Sequence, residues 1–378
     1  MPKFYYLYNG YTPNTAPTNR MLAYIKGLSE LKVETNLIFF FADKKKSKIS
    51  NYFSNITIEY YWDKWFYIDN KYIKYVYYVF SVIHFLCRVK KGDTVYMYNM
   101  ADLFHFLLKK KKVSVFLEKT EYPSMYPLGS HIYRPKIGEY LKDCSKATGI
   151  ITVSTSLRDF FIENGVLENN IRIVNMIVDE HRFDNVKPAK FDKPYFGYCG
   201  TVSTFKDGVD NLIVSFSHVY KKYPELTLRI AGNFADENDK KKLLDLVNKL
   251  GITDAVIFMG VVSAFDIPSF LAGAVSVVLS RPDNIQAKYG FPGKLGEYLL
   301  SEAPSIVTKV GDIPLFIKDG ENGLLVQPDD TEAFAQKMIW VIEHKDAAKQ
   351  IGRNGKDLAL RKFNYYTESR KLKAFLFS

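Results

Sequence analysis

The sequence has 378 residues, 47% of them hydrophobic and 25% charged, with a formal net charge of +11 at pH 7. This length exceeds one ordinary core and argues for two domains; the composition excludes a disordered, collagen-like or disulfide-rich chain. The cysteines Cys87, Cys144 and Cys199 have no metal-type spacing, and the longest uncharged apolar run, Tyr75 to Cys87, falls short of the ~20 residues that cross a bilayer. The scattered cysteines suit a reducing cytoplasm and no structural metal is expected, and the opening "MPKFYYLYNGY" lacks the basic-then-apolar pattern of a signal peptide.

The charge is unevenly placed. Residues 1–190 hold 28 Lys and Arg against 18 Asp and Glu, a balance of +10, whereas residues 191–378 hold 24 against 23, or +1. The excess is concentrated in "DKKKSK" (43–48) and in Lys109 to Lys112. It points to an anionic partner, either anionic lipid head groups or a phosphorylated substrate, unless these runs are simply solvated faces. No nucleic-acid recognition motif accompanies the lysines, so nucleic acid is not expected as a partner. The aromatic stretch "YYWDKWFYIDNKYIKYVYYVF" reads as packing or coding bias before it reads as a binding stripe.

Along the chain, "KFYYLYN" reads as a strand, "NRMLAYIKGLSEL" as a helix and "ETNLIFFF" as a strand. "DTVYMYN", "VSVFLEKT" and "ATGIITVS" follow as buried-type strands, then the helix "SLRDFFIENG" and the strand "IRIVNMIVD". His84 and His105 sit in apolar patterns and read as packed residues. "FDNVKPAKFDKPYF" then breaks the rhythm with prolines, lysines and no periodicity, as a linker does. After it, "YFGYCG", "LTLRIAG", "AVIFMG", "VSVVLS", "SIVT" and "GLLV" read as strands with helices between them. Strand–helix alternation implies α/β architecture: two tandem doubly wound, Rossmann-like domains with a cleft expected between them. The expected boundaries are 1–187, 188–363 and a C-terminal helix over 364–378 that packs back on the first domain.

Two stretches of the second half carry chemistry. In "GYCGTVSTFKDGVDNLI" a strand ends at Cys199, Gly200 allows close backbone approach, and a polar loop reaches a helix beginning near Asp207. Lys206 and the N–H groups of that helix start form a diphosphate site, or else an ordinary connection with a surface lysine. In "GFPGKLGEYLLSEAPSIVT" the Glu297 carboxylate suits a ribose diol and Lys294 suits phosphate oxygens. The bland alternative is a surface salt bridge one turn apart.

"CGTVSTFKDGVD", "FPGKLGEYLLSEAPSIVT" and "VGDIPLFIKDGENGLLVQPDD", in this order and spacing, resemble the second domain of family-4 glycosyltransferases, retaining enzymes of GT-B fold. "GIITVSTSLRDFF" and "IRIVNMIVDEHRF" resemble the segments leading to the domain junction. The resemblance covers most of residues 145–365. It implies a metal-independent enzyme that moves a sugar from a nucleotide-diphosphate donor to a saccharide hydroxyl, with Lys206 neutralising the departing diphosphate. Gly200, Thr201, Lys206, Tyr289, Gly290, Phe291, Lys294, Leu295 and Glu297 would bind the donor, the 289–292 loop through its backbone N–H groups. Tyr289 stands where the family pattern has the first of two glutamates, with Asp283 nearby, and Thr201 and Val202 occupy the neighbourhood of a usual arginine.

In the first half, Asn9 and Gly10 follow the first strand and would approach the donor phosphates, with Asn19 and Arg20 near the helix start. Glu118 and Glu121, at a strand's carboxyl end, are candidates to deprotonate or orient an acceptor hydroxyl. The basic, aromatic first domain suggests a lipid-linked acceptor and peripheral attachment to an anionic membrane. The alternatives are a nucleotide-sugar epimerase of the same fold and a non-catalytic partner subunit.

Overall fold

The computed structural model describes residues 2–13, 15–41, 49, 53–61, 71–98, 107–125 and 136–378. The basic stretch 43–48 and His105 lie outside the described residues. The chain divides into two compact units, Met1–Ile177 together with Tyr365–Ser378, and Val178–Asn364.

The first unit is built on the strands β1 (Phe4–Gly10), β2 (Thr35–Phe41), β3 (Ile56–Tyr60), β4 (Thr94–Tyr98), β5 (Ser114–Glu118), β6 (Gly149–Thr152) and β7 (Ile171–Ile173). They form one parallel sheet in the order β3-β2-β1-β4-β5-β6-β7. Strands covered on both faces need apolar side chains on both, which is why "FYYLY" and "VFL" run without alternation. Much of the covering is aromatic: Tyr5, Tyr6, Tyr24, Tyr96, Phe39, Phe40 and Phe85 are fully buried, and the Tyr6 and Tyr96 rings meet edge to face at 4.6 Å. The helix Ala16–Glu30 starts at Thr15, whose hydroxyl accepts from the N–H of Thr18, and it buries Met21, Tyr24, Ile25 and Leu28. The last helix, Tyr365–Leu376, lies against it and adds Tyr365, Leu372, Phe375 and Leu376 to the same core. The Tyr365 hydroxyl donates to Glu30 at 2.7 Å and Lys373 to the Leu31 carbonyl at 2.9 Å.

The second unit repeats the plan with β8 (Tyr195–Cys199), β9 (Thr227–Ala231), β10 (Val256–Gly260), β11 (Ser276–Leu279), β12 (Ser305–Thr308) and β13 (Leu324–Val326). All pair in parallel, in the order β10-β9-β8-β11-β12-β13. In each unit the strand order reverses beside its first strand, between β1 and β4 and between β8 and β11. Neighbouring connections leave in opposite directions there, opening a crevice at the carboxyl ends where doubly wound sheets bind ligands.

Three local features differ from the sequence reading. The helix after Gly200 comes in two pieces, a turn Thr204–Asp207 and then Val209–Lys222, with Gly208 at φ +62° between them. A second helix of the first unit, Lys71–Arg88, occupies the stretch read only as an apolar run. His84 on that helix is exposed, with its ring against Tyr61 at 4.8 Å, instead of packed in a core.

Candidate functional site

The reversal point of the second sheet is flanked by the segments that follow β8 and β11, and nearly all the second-half candidates are there. β8 ends on Cys199, whose backbone pairs with β9 on one side, while β11 pairs only with Phe196 and Gly197 on the other. The unpaired edge is closed by a side chain from the helix Lys294–Leu300. The Tyr298 hydroxyl accepts from the Cys199 N–H at 2.7 Å and donates to its carbonyl at 3.2 Å. One buried phenol thus fastens that helix to the strand end. Gly200 follows at φ +153°, and a Cβ there would fall on the ammonium of Lys294. Gly232, after β9, faces it so closely that a Cβ would collide with the Gly200 carbonyl.

The Lys294 ammonium sits in a polar cluster that the sequence reading did not assemble. It donates to Asp207 Oδ2 at 2.6 Å and to the Tyr198 hydroxyl at 3.0 Å. The Tyr198 hydroxyl lies 2.8 Å from the same carboxylate and 2.5 Å from the Thr201 carbonyl. Arg281, buried just past β11, brings Nε to 3.7 Å from Asp207 Oδ1 and donates to the Lys206 carbonyl at 3.3 Å. Burial would raise the Asp207 carboxyl, but Lys294 and Arg281 outweigh it and hold the group below its ordinary value, so it is ionised. Asp207 is therefore a buried counter-ion at the end of the turn Thr204–Asp207, and the longer helix begins at Val209. Lys206 is half-buried on the turn capped by Ser203, and its ammonium makes no ion pair among the described residues. Lys206, Lys294 and Arg281 against Asp207 leave the cluster a balance of three positive charges to one negative, +2.

Glu297 is on the same short helix, one turn past Lys294, but it does not pair with that lysine. Its carboxylate takes Arg182, which also donates to the Ala264 carbonyl at 2.9 Å. Both side chains remain partly accessible, 19% for Glu297 and 29% for Arg182. Burial, and then the Glu297 charge, push the Cys199 thiol up to about 12. Tyr289 closes the helix Ile285–Tyr289, half-buried, with Lys288 over its ring at 5.2 Å. The Gly290 N–H is already donated to the Gln286 carbonyl at 2.9 Å, so this group is not offered by the 289–292 loop. The Phe291 N–H meets no backbone carbonyl among the described residues. The Phe291 ring is buried against Phe316 and Phe363, and Leu295 is wholly buried, so both hold the loop from beneath. Thr201 and Asp283 are exposed.

In the first unit the structure separates the candidates. Asn9 and Gly10 are the last residues of β1, half-buried, with Gly10 in register with Phe41 of β2. Glu118 is a different case from the one its position suggested. It is 1% exposed, with Oε1 at 2.7 Å from Arg20 Nε and 3.4 Å from the Tyr24 hydroxyl. Arg20 spends its remaining donors on the carbonyls of Val174 and Asn175, at 3.0 and 2.6 Å, past β7. This ion pair stitches β5, the Ala16–Glu30 helix and the chain after β7 together; neither member is presented to solvent for acceptor or phosphate. Burial first, and the Glu118 charge second, raise the Tyr6 and Tyr96 hydroxyls well above their ordinary value. Glu121 lies beyond the strand, half-buried, with its charge felt at Tyr98.

Asp207, Arg281, Arg182 and Tyr198 therefore join the candidate site without having been singled out from the sequence. Arg281 had a usable signal, because it follows a buried strand's carboxyl end. Asp207 had none, since "FKDG" looks like any exposed turn. Among the described residues no group of three or more His, Cys, Asp or Glu side chains is placed to hold a metal ion.

Residues 179–358 match the family model described as "Glycosyl transferases group 1". Over 243 residues the chain is 28% identical to the mannosylfructose-phosphate synthase of Agrobacterium fabrum, covering 60% of this chain and 52% of that protein. It is 26% identical to the capsular polysaccharide biosynthesis glycosyltransferase CapM of Staphylococcus aureus, covering 58% of each. The chain spans about half the length of the curated relatives it matches. The crystal structure of Anabaena HepE in complex with UDP covers 99% of both chains with a TM-score of 0.73 at 17% identity. That likeness shows the fold, two parallel-sheet Rossmann-like domains of the GT-B kind.

Proposed function

We propose, from the premise that residues 179–358 form a glycosyl transferases group 1 domain, that the protein transfers a sugar from a nucleotide-diphosphate donor to a saccharide hydroxyl. The observation that carries this reading is the +2 cluster at the reversal point of the second sheet, inside the matched segment. A diphosphate leaving group accumulates negative charge as the glycosidic bond breaks. Fixed cations lower the barrier by meeting that charge without reorganising. In this proposal Lys206, whose ammonium makes no ion pair among the described residues, meets the diphosphate directly. Lys294 is held in position by Asp207, with the Gly200–Thr201 backbone beside it, and adds the second charge. Glu297 takes the ribose hydroxyls as Arg182 yields or shares its carboxylate, and the loop from Tyr289 to Phe291 borders the sugar. In the first unit, Glu121 is the remaining acceptor-side carboxylate.

The finer assignments are family-4 membership, retention of configuration, action without a metal, a cytoplasmic setting and a role in cell-surface polysaccharide synthesis. They draw on the motif resemblance and on relatives named for capsule and disaccharide-phosphate synthesis. A lipid-linked acceptor and peripheral contact with an anionic membrane belong to the same reading. No helix among the described residues is long and apolar enough to cross a membrane.

The test is calorimetric titration of UDP, GDP, ADP and CDP into the protein in EDTA, beside Glu297→Ala and Lys206→Ala. One nucleotide is expected to bind saturably, about tenfold weaker when the Lys206 ammonium is removed, as for loss of one charged hydrogen bond. Absence of binding to all four would sink this reading and leave the non-catalytic partner subunit in its place.

A further inference from the structure

The helix Lys71–Arg88 of the first unit turns an apolar face outward. Ile73, Val76, Val79, Phe80 and Ile83 are 41%, 50%, 38%, 55% and 51% exposed, and Cys87 continues the row as an exposed thiol. At 3.6 residues per turn these six positions fall within a continuous arc of about 120°. The opposite face, with Ser81, Val82 and Phe85, is buried against the sheet. Single exposed apolar side chains are ordinary; a contiguous row along about four turns marks a surface that something covers.

Charge indicates what covers it. Segment 71–91 holds five lysines and arginines and no aspartate or glutamate. Of these, Arg88 is neutralised by Glu59, whereas Lys90 and Lys91 are exposed directly after the helix. The exposed lysines Lys109 to Lys112 are set against the same end, for Lys111 donates to the Leu86 carbonyl and the Gly92 N–H to the Lys112 carbonyl. Two copies paired through this face would bring like charges together with no acid in the segment to offset them. A bilayer surface with anionic head groups meets both halves of the pattern, apolar side chains for depth and lysines for the phosphates.

We infer that the 73–87 face of this helix is the surface by which the protein lies on an anionic membrane. The inference rests on the peripheral-membrane part of the proposed function and names its contact. It requires no covalent step and no change in the donor site.

Flotation with vesicles of phosphatidylcholine alone and of equimolar phosphatidylcholine and phosphatidylglycerol tests it. The wild type is expected to float with the anionic vesicles only. Phe80→Glu combined with Ile83→Glu is expected to lower the partition at least about tenfold, two apolar side chains being lost from the buried face. Lys90→Glu with Lys91→Glu is expected to weaken it and flatten its salt dependence. Nucleotide binding in the same variants reports that the rest of the molecule is intact. A fluorophore on Cys87 should shift to the blue on anionic vesicles and be quenched by spin-labelled lipid. Flotation untouched by the Phe80 and Ile83 changes would overturn the helix assignment and leave the membrane reading standing. Failure to float with either vesicle would remove both. A dimer in sedimentation equilibrium that the same changes dissolve, without vesicle binding, would assign the face to a second copy and overturn the inference.

Discussion

Asp207 shows how a single side chain decides the character of a site. Its carboxylate is almost fully buried, and it tolerates that position because Lys294 and Arg281 stand against it. Removing one partner of a buried pair typically costs about 3 kcal/mol, since the other is left uncompensated. Asp207→Asn should therefore lose stability of that order at pH 7, read from urea unfolding. The pH dependence has a definite sign. The folded carboxyl lies below its ordinary value of 3.8, so its contribution is complete above that value and lost as pH falls through the lowered one. Between pH 5 and the acid transition the wild type should thus lose stability more steeply than Asp207→Asn; parallel curves would mean that the pair is not formed. The thiols offer a second check at this scale. Cys87 is exposed, Cys144 is buried and the Cys199 thiol is pushed up to about 12 by burial and the Glu297 charge. At pH 8 the native protein should react with a thiol reagent at one fast site, and all three should react in denaturant. Rapid reaction of Cys199 would contradict the burial that chiefly raises its thiol.

At the scale of elements, the helix Lys294–Leu300 is the piece on which the candidate site depends. It carries Lys294 toward the buried Asp207 and Glu297 toward Arg182, buries Leu295, Tyr298 and Leu299, and is fixed to the end of β8 by the Tyr298 hydroxyl. Tyr298→Phe keeps the packing and leaves the Cys199 N–H and carbonyl without that partner. An unsatisfied buried polar group costs about 1–3 kcal/mol, so a loss of roughly 2 kcal/mol is expected in thermal unfolding. Because the bond also positions Lys294 and Glu297, nucleotide binding should weaken in the same variant while it is still folded. Normal binding with lowered stability would mean that the anchor serves the fold alone. The helix itself was legible in "GKLGEYLL", and so was the presence of a lysine and a carboxylate on it. That each reaches for a different partner was not, since Asp207 and Arg182 come from segments 87 and 115 residues away.

At the scale of the molecule, the chain returns to its first unit after completing the second. Residues 365–378 close the core of the first unit by burying Tyr365, Leu372, Phe375 and Leu376 beside the Ala16–Glu30 helix. Deleting them removes four buried side chains worth about 1.5–3 kcal/mol each before relaxation. That is comparable with the whole stability of many domains. Calorimetry of the truncated chain should show the transition of the first unit moved to markedly lower temperature and that of the second nearly unchanged. A uniform shift of both would show that the helix stabilises more than the first core.

Strand–helix alternation was readable along most of the chain because parallel strands covered on both faces require unbroken apolar runs such as "YFGYC" and "SVVL". Helix faces in turn require a spacing near four. From those two periods the sequence by itself determined two Rossmann-like domains, and the ordered motifs of the second half singled out Lys206, Lys294 and Glu297. Only tertiary structure decided what those groups meet. Glu118 looked like a carboxylate at the mouth of a sheet and proved to be the buried partner of Arg20, across a sequence separation of 98. Lys71–Arg88 read as an apolar run and proved to be a helix that carries an apolar face outward. Local periodicity reports that a face is apolar; whether a sheet, a charge or a lipid surface covers it depends on contacts between residues far apart in the chain, and those exist only once it has folded.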